Sequence, residues 1–232
     1  MTSIIELNGV KIRRRERDRG IIREVFMENA YGIEEVPEGS LVIDVGAHIG
    51  TVTLRCAVER GCRVYAYEPN VESFALLAEN VQLNHLGDRV KCFNQAIGRD
   101  REIRDFYFER SSGSSSFYLG DNPDFADRNL KVEKIQCITL KDIFEDNDVT
   151  FCDVLKIDCE EAEREIFNDE ASPYFKRVGY LILEWHNYDG HIYAKYMRRL
   201  GFTVKLTGCG DPPPPYDPTF ARGMLHAWRQ AV

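Results

Sequence analysis

The sequence predicts an α/β fold, a mostly parallel doubly wound sheet, and three observations predict it. Short β-branched apolar runs alternate with segments of helical spacing along most of the chain. Four of those runs stop in an acid, at Asp44, Glu68, Asp158 and Glu184. After the first run, Leu41-Val42-Ile43-Asp44-Val45, comes the loop Gly46-Ala47-His48-Ile49-Gly50 and then an apolar segment with helical spacing. Glycine has no Cβ, so Gly46 suits a loop whose backbone must approach a ligand, and Gly50 lets the next helix pack against the strand.

Taken in order, residues 4–12 alternate around Asn8-Gly9 and predict a hairpin. Residues 11–19 hold five arginines and one lysine against Glu16 and Asp18. Such a run predicts a solvated face, with a site for a phosphate or lipid headgroup as the alternative. Residues 21–27 have helical spacing and residues 29–32 a C-cap signal, so residues 1–38 form a hairpin and helix that cap the pocket. Residues 63–67 are the second strand, ending in Glu68, 24 residues after Asp44. That offset places the acid to accept two hydrogen bonds from a ribose diol. Pro69 and Asn70 open a helix with Phe74, Leu77, Ala78 and Val81 on its core face. Residues 90–97 are the third strand, and its end places Gln95 and Ala96 to meet an adenine.

The pattern then changes. Residues 102–108 and 132–138 read as strands flanking the serine-rich stretch 111–116, which makes a β-rich insertion at about 99–137. The serine stretch is a surface loop or a lid. A short helix over 139–145, buried strands over 153–158 and 178–183, a helix over 193–200 and strands over 202–206 and 224–228 complete a core spanning 39–232. A stiff polyproline connector covers 212–215.

The chain has 232 residues, 44% of them hydrophobic, which suits a single domain. A net charge of −8 gives no global attraction for nucleic acid or an anionic membrane. Seven scattered cysteines without a C-x-x-C pair predict buried thiols in a reducing compartment, and no apolar run approaches a membrane span. A cytoplasmic protein without a nucleic-acid partner is expected.

The loop lacks the middle glycine of a dinucleotide fingerprint, His48 standing there instead, which disfavours a nicotinamide oxidoreductase. Asp44 would repel a phosphate and pair with an ammonium group. S-adenosylmethionine offers an amine, a sulfonium and a ribose diol without a phosphate, and is the expected cofactor.

These motifs stand in one order: Val-Ile-Asp-Val-Gly-Ala-His-Ile-Gly, Tyr-Glu-Pro-Asn, Asn-Gln-Ala-Ile-Gly, Gly-Ser-Ser-Ser-Phe, Leu-Lys-Ile-Asp-Cys-Glu-Glu-Ala-Glu and Leu-Glu-Trp-His, between about residues 41 and 186. In them the chain resembles the FkbM family of S-adenosylmethionine-dependent methyltransferases. The resemblance implies a Rossmann-like class I methyltransferase fold with seven strands, helices on both faces, and methyl transfer to a hydroxyl of a sugar or natural product. It places Asp44, Gly46, Ala47, His48, Gly50, Glu68, Pro69, Gln95, Ala96 and Asp158 around the cofactor. It places Asp158, Glu160, Glu184 and His186 beside the methyl group. Two positions depart from the family: His48 stands for a common Asn and Glu161 for a Gly, a carboxylate expected to narrow or re-charge the acceptor pocket.

An alcohol acceptor needs a group to take its proton. His186 is the expected base, with Asp158 or Glu184 orienting it. The alternative is a divalent cation held by Asp158, Glu160 and Glu184. A protein or RNA methyltransferase remains open if the arginine run and the pocket form one basic surface. A non-catalytic cofactor-binding module remains open if Glu161 or Tyr31 fills the acceptor cleft.

Overall fold

Asn8 and Gly9 both take positive φ, 51° and 77°, the turn that matches the twist of two paired strands, and they join β1 (Thr2–Leu7) to β2 (Val10–Arg15). The computed structural model describes residues 2–109, 115–116, 130–160, 162–186, 189–208 and 222–229. The serine positions 111–114, Glu161, Cys209 and the polyproline stretch 212–215 lie outside the described residues. After the hairpin come α1 (Arg19–Phe26), β3 (Leu41–Val45), α2 (Thr51–Glu59), β4 (Arg63–Tyr67) and α3 (Val71–Leu83). Asn70 caps α3 by accepting from the backbone N–H groups of Glu72 and Ser73, both at 3.0 Å.

The third strand divides. β5 (Val90–Phe93) pairs with β4, but β6 (Ala96–Ile97) pairs with a strand of a different sheet. The break falls where the Asn94 amide donates to the carbonyls of Glu68 and Pro69 at 2.9 and 3.0 Å, satisfying loop acceptors and turning the chain away. The insertion follows as β7 (Glu102–Glu109), β8 (Ser115–Ser116) and β9 (Leu130–Ile138), which with β6 make a four-stranded sheet in the order β6-β9-β7-β8. The chain then continues through α4 (Leu140–Asp146), β10 (Cys152–Ile157), α5 (Glu163–Ile166), α6 (Ser172–Phe175), β11 (Val178–His186), α7 (Gly190–Arg199), β12 (Thr203–Leu206) and β13 (Arg222–Trp228).

The main sheet has seven strands in the order β12-β13-β11-β10-β3-β4-β5, parallel from β5 to β11, with β13 antiparallel to both its neighbours. Alternate residues of the buried strands feed opposite layers. Ile43, Leu155 and Leu181 pack with Phe144, Phe175 and Met197 on one face, whereas Val42, Val154 and Ile182 pack with Val25, Leu54 and Leu77 on the other. The hairpin residues Val10 and Ile12 join the second layer and are fully buried. From β3 the chain proceeds outward to β5 and returns on the other side as β10. The carboxyl ends of β3 and β10 therefore flank the crevice where ligands bind in such sheets.

The arginine run is laced with ion pairs, exposed at Arg19 as a solvated face would be and half-buried at Arg13, Arg15 and Arg17. Arg13 meets Glu79 at 3.0 Å, Arg15 meets buried Asp18 at 3.0 Å and Arg17 meets Glu72 at 3.1 Å. The described cysteines are free, with Cys56, Cys62, Cys137 and Cys152 buried. Among the described residues no helix is long and apolar enough to cross a membrane.

Candidate active site

A cleft of about 310 Å³ opens over the carboxyl ends of β3, β4, β10 and β11. Its floor is the loop after β3. Gly46 has φ 76°, and a Cβ built there would lie 1.7 Å from the Asp158 carbonyl oxygen, so only glycine lets the two loops meet. Gly46→Ala is expected to weaken S-adenosylhomocysteine binding about tenfold or more by pushing these loops apart; calorimetric titration reads it, and unchanged affinity would show that the contact does not shape the cleft.

Glu68 lies at the end of β4 and is buried, accepting from the backbone N–H of His48 at 2.8 Å and of Asn70 at 2.7 Å on different oxygens. Burial pushes its pKa up to about 7 against those two hydrogen bonds. Each oxygen keeps a free lone pair, so the carboxylate fits a ribose diol while it holds the loop. His48 adopts φ 53° and lines the cleft. Burial lowers its pKa to about 4 and keeps the ring neutral. Ala47, Pro69, Gln95 and Ala96 also line the cleft, joined by Phe106 from the insertion.

Asp44 and Gly50 do not reach the cleft lining. Gly50 meets Leu77 of α3 instead, where a Cβ would come within 2.7 Å of Cδ1. Asp44 is wholly buried, accepts from the Thr53 hydroxyl at 2.6 Å and lies 3.2 Å from Lys156 Nζ. A cation of the chain therefore occupies the position expected for a ligand ammonium. Lys156 is 3% exposed, donates to the Gly46 carbonyl at 2.6 Å and lies 3.6 Å from Asp158. Burial works to lower its pKa, but Asp44 and Asp158 outweigh it and hold the value above the ordinary lysine range.

The part of the cleft beside β10 and β11 is acidic. Tyr31 OH lies 2.9 Å from Asp158 Oδ2 and 2.8 Å from Glu184 Oε2. Glu24, from α1, also faces this space, and Arg222 reaches Glu184 at 3.6 Å and Glu24 at 3.8 Å. Burial and the charge of Asp158 raise Glu184 to about 7. Asp158 is held below its usual value, Lys156 and His186 overcoming the opposing effect of burial.

His186 turns away from the cleft. Its Nδ1 lies 3.3 Å from Glu163, a buried side chain on α5, and its Nε2 lies 3.8 Å from Glu160. Burial opposes the charge, yet the Glu163 carboxylate close to Nδ1, with Asp158 and Glu160, raises the pKa to about 10. An imidazolium has no lone pair to accept a proton, so the general-base expectation for His186 does not follow from this geometry. Between pH 6.5 and 10 the native ring keeps a proton that the unfolded chain has lost. Stability therefore falls as pH rises through that window. His186→Gln is expected to flatten this part of a denaturation-against-pH profile; an unaltered slope would sink the assignment.

Among the described residues no three His, Cys, Asp or Glu side chains converge as a metal ion requires. Lys156, Glu24, Arg222 and Phe106 escaped the sequence reading of the site, which named Tyr31 only as a side chain that could fill the cleft; Tyr31 does line it. A lysine between Leu155 and Ile157 was a visible anomaly in a buried run; the other three carry no local signal.

Residues 44–204 match the methyltransferase FkbM domain model. The chain is 26% identical over 238 residues to the 31-O-demethyl-FK506 methyltransferase FkbM of Streptomyces tacrolimicus, covering 89% of this chain and 86% of that one. It is 30% identical over 159 residues to the hexuronic acid methyltransferase AglP of Haloferax volcanii, covering 66% of this chain and 59% of that one. An rRNA methylase from Streptococcus thermophilus superposes with a TM-score of 0.52 at 10% identity, covering 90% of this chain and 98% of that one, and shares the fold.

Proposed function

The chain belongs to the FkbM methyltransferase family, and from that premise we propose that it methylates a hydroxyl of a small molecule. The observation that carries this is Glu184, a carboxyl opening into the cleft at the end of β11 beside Asp158, its proton affinity raised by burial and by that neighbour. Two relatives are named for a 31-O-demethyl-FK506 and a hexuronic acid, which supports a small acceptor.

Bound S-adenosylmethionine supplies an electrophilic methyl group on a sulfonium. Glu68 would hold the ribose diol, Gln95 and Ala96 would meet the adenine, and Pro69 would shape that wall. Gly46, Ala47 and His48 form the floor, and Gly50 packs the helix behind it. Asp44 holds Lys156, which in turn keeps Asp158 ionised. The cofactor would supply its methyl group to the acceptor oxygen and leave as S-adenosylhomocysteine, and Glu184 would take the hydroxyl proton. No metal is needed for this balance.

The test has two arms. Calorimetric titration with S-adenosylhomocysteine is expected to give binding that Glu68→Ala weakens. Production of S-adenosylhomocysteine is then measured across hydroxylated sugars and macrolides, with tRNA transcripts alongside. Turnover on tRNA alone would replace the small-molecule reading, and absence of cofactor binding would remove both.

A further inference from the structure

Tyr31 stands outside the stretch that matches the family model, on the segment between α1 and β3, and is 1% exposed. Its position is braced from α2: buried Arg55 donates to the Val25 carbonyl at 2.6 Å and to Asn29 Oδ1 at 3.0 Å, fixing the turn just before Tyr31. The phenol thus reaches two carboxyl groups that belong to different strand ends, at 2.8 and 2.9 Å.

A phenol has one proton. With both carboxyls ionised it can donate to only one of them, leaving the other oxygen facing a lone pair at hydrogen-bond distance. One further proton turns both contacts into hydrogen bonds, in a chain running from acid to phenol to carboxylate. Burial decides which carboxyl takes it. Asp158 is matched by Lys156, which is 3% exposed, whereas the counter-charge of Glu184 is Arg222, which is 64% exposed and screened by water. The groups facing Glu184 are thus Tyr31, Asp158, Arg222 and, farther along its own strand, His186, with Lys156 and Glu160 acting through charge and Glu24 of α1 sharing Arg222.

We propose that Tyr31 is a positioning residue that holds Glu184 and Asp158 around one shared proton and so presents Glu184 as the proton-exchanging group of the cleft. This rests on the reading of Glu184 as the acceptor of the hydroxyl proton. When Glu184 takes that proton it becomes a donor to the phenol oxygen and the phenol turns its own proton to Asp158. No atom leaves the array, and one hydrogen bond is gained.

The experiment is a pH titration followed by NMR, on full-length protein labelled with ¹³C at glutamate Cδ and tyrosine Cζ, with and without S-adenosylhomocysteine. Glu68, Glu160 and Glu184 are all expected to titrate near neutral pH, and the one of these resonances that vanishes in Glu184→Gln identifies Glu184. In the unaltered protein the Tyr31 Cζ resonance is expected to move with the same midpoint, since the phenol exchanges partners as Glu184 titrates. In Tyr31→Phe the Glu184 midpoint is expected to fall by about half to one pH unit, the worth of one hydrogen bond. A Tyr31 resonance that ignores the Glu184 midpoint overturns the proposal without any variant, and an unmoved midpoint in folded Tyr31→Phe does so independently. Failure to bind S-adenosylhomocysteine, with these titrations intact, removes the cofactor reading and leaves the shared proton standing.

Discussion

Glu184→Gln is expected to reduce methyl transfer by about 10²- to 10⁴-fold, the usual worth of a positioned proton acceptor, while cofactor affinity stays unchanged. Glutamine is isosteric and still accepts from Tyr31, so the loss reports the missing proton acceptor. The pH dependence has a definite sign. Burial and Asp158 raise Glu184 to about 7, and only the carboxylate can accept a proton, so the wild-type rate is expected to climb as pH rises through neutrality. The variant loses that limb of the profile. Turnover at the wild-type level on the same acceptor would mean that the proton leaves by another route.

Lys156→Met is expected to cost about 3–5 kcal/mol of stability, the typical penalty for leaving a buried charge without its partner. For a chain of this size that corresponds to a Tm lower by roughly 6–20 °C. Lys156 is 3% exposed and Asp44 fully buried, so water cannot compensate either. The double variant Asp44→Asn with Lys156→Met is expected to recover a large part of the loss, because the pair is removed as a unit. Additive losses would mean that the lysine acts through packing against Tyr31, whose ring centroid lies 5.5 Å from Nζ, rather than through charge.

Asp44 shows how far local pattern reaches. Its place at the end of an apolar run marks a site, and the glycines beside it mark a close approach. What it pairs with depends on β10, which returns more than 100 residues later beside β3, with Lys156 directly across from Asp44 in the register. The same lysine is visible in the sequence as an oddity, but its partner is not. His186 is a comparable case. A histidine titrates near neutrality on its own, and only the packing of α5 against β11 sets Glu163 at 3.3 Å and holds the ring charged. The third strand divides for a further non-local reason, since Asn94 finds its acceptors on the loop after β4.

The sequence by itself determined the parallel α/β core, the hairpin at Asn8-Gly9, the β-rich insertion and the glycine loop with its acid at Glu68. Each follows from periodicity, turn chemistry or the missing Cβ of glycine, which act over a few residues. The tertiary structure alone decided the charges of the site. It set Lys156 against Asp44, Glu163 against His186, and Tyr31 between Asp158 and Glu184, because burial and neighbouring charge fix proton affinity, and both depend on segments that are distant in the chain.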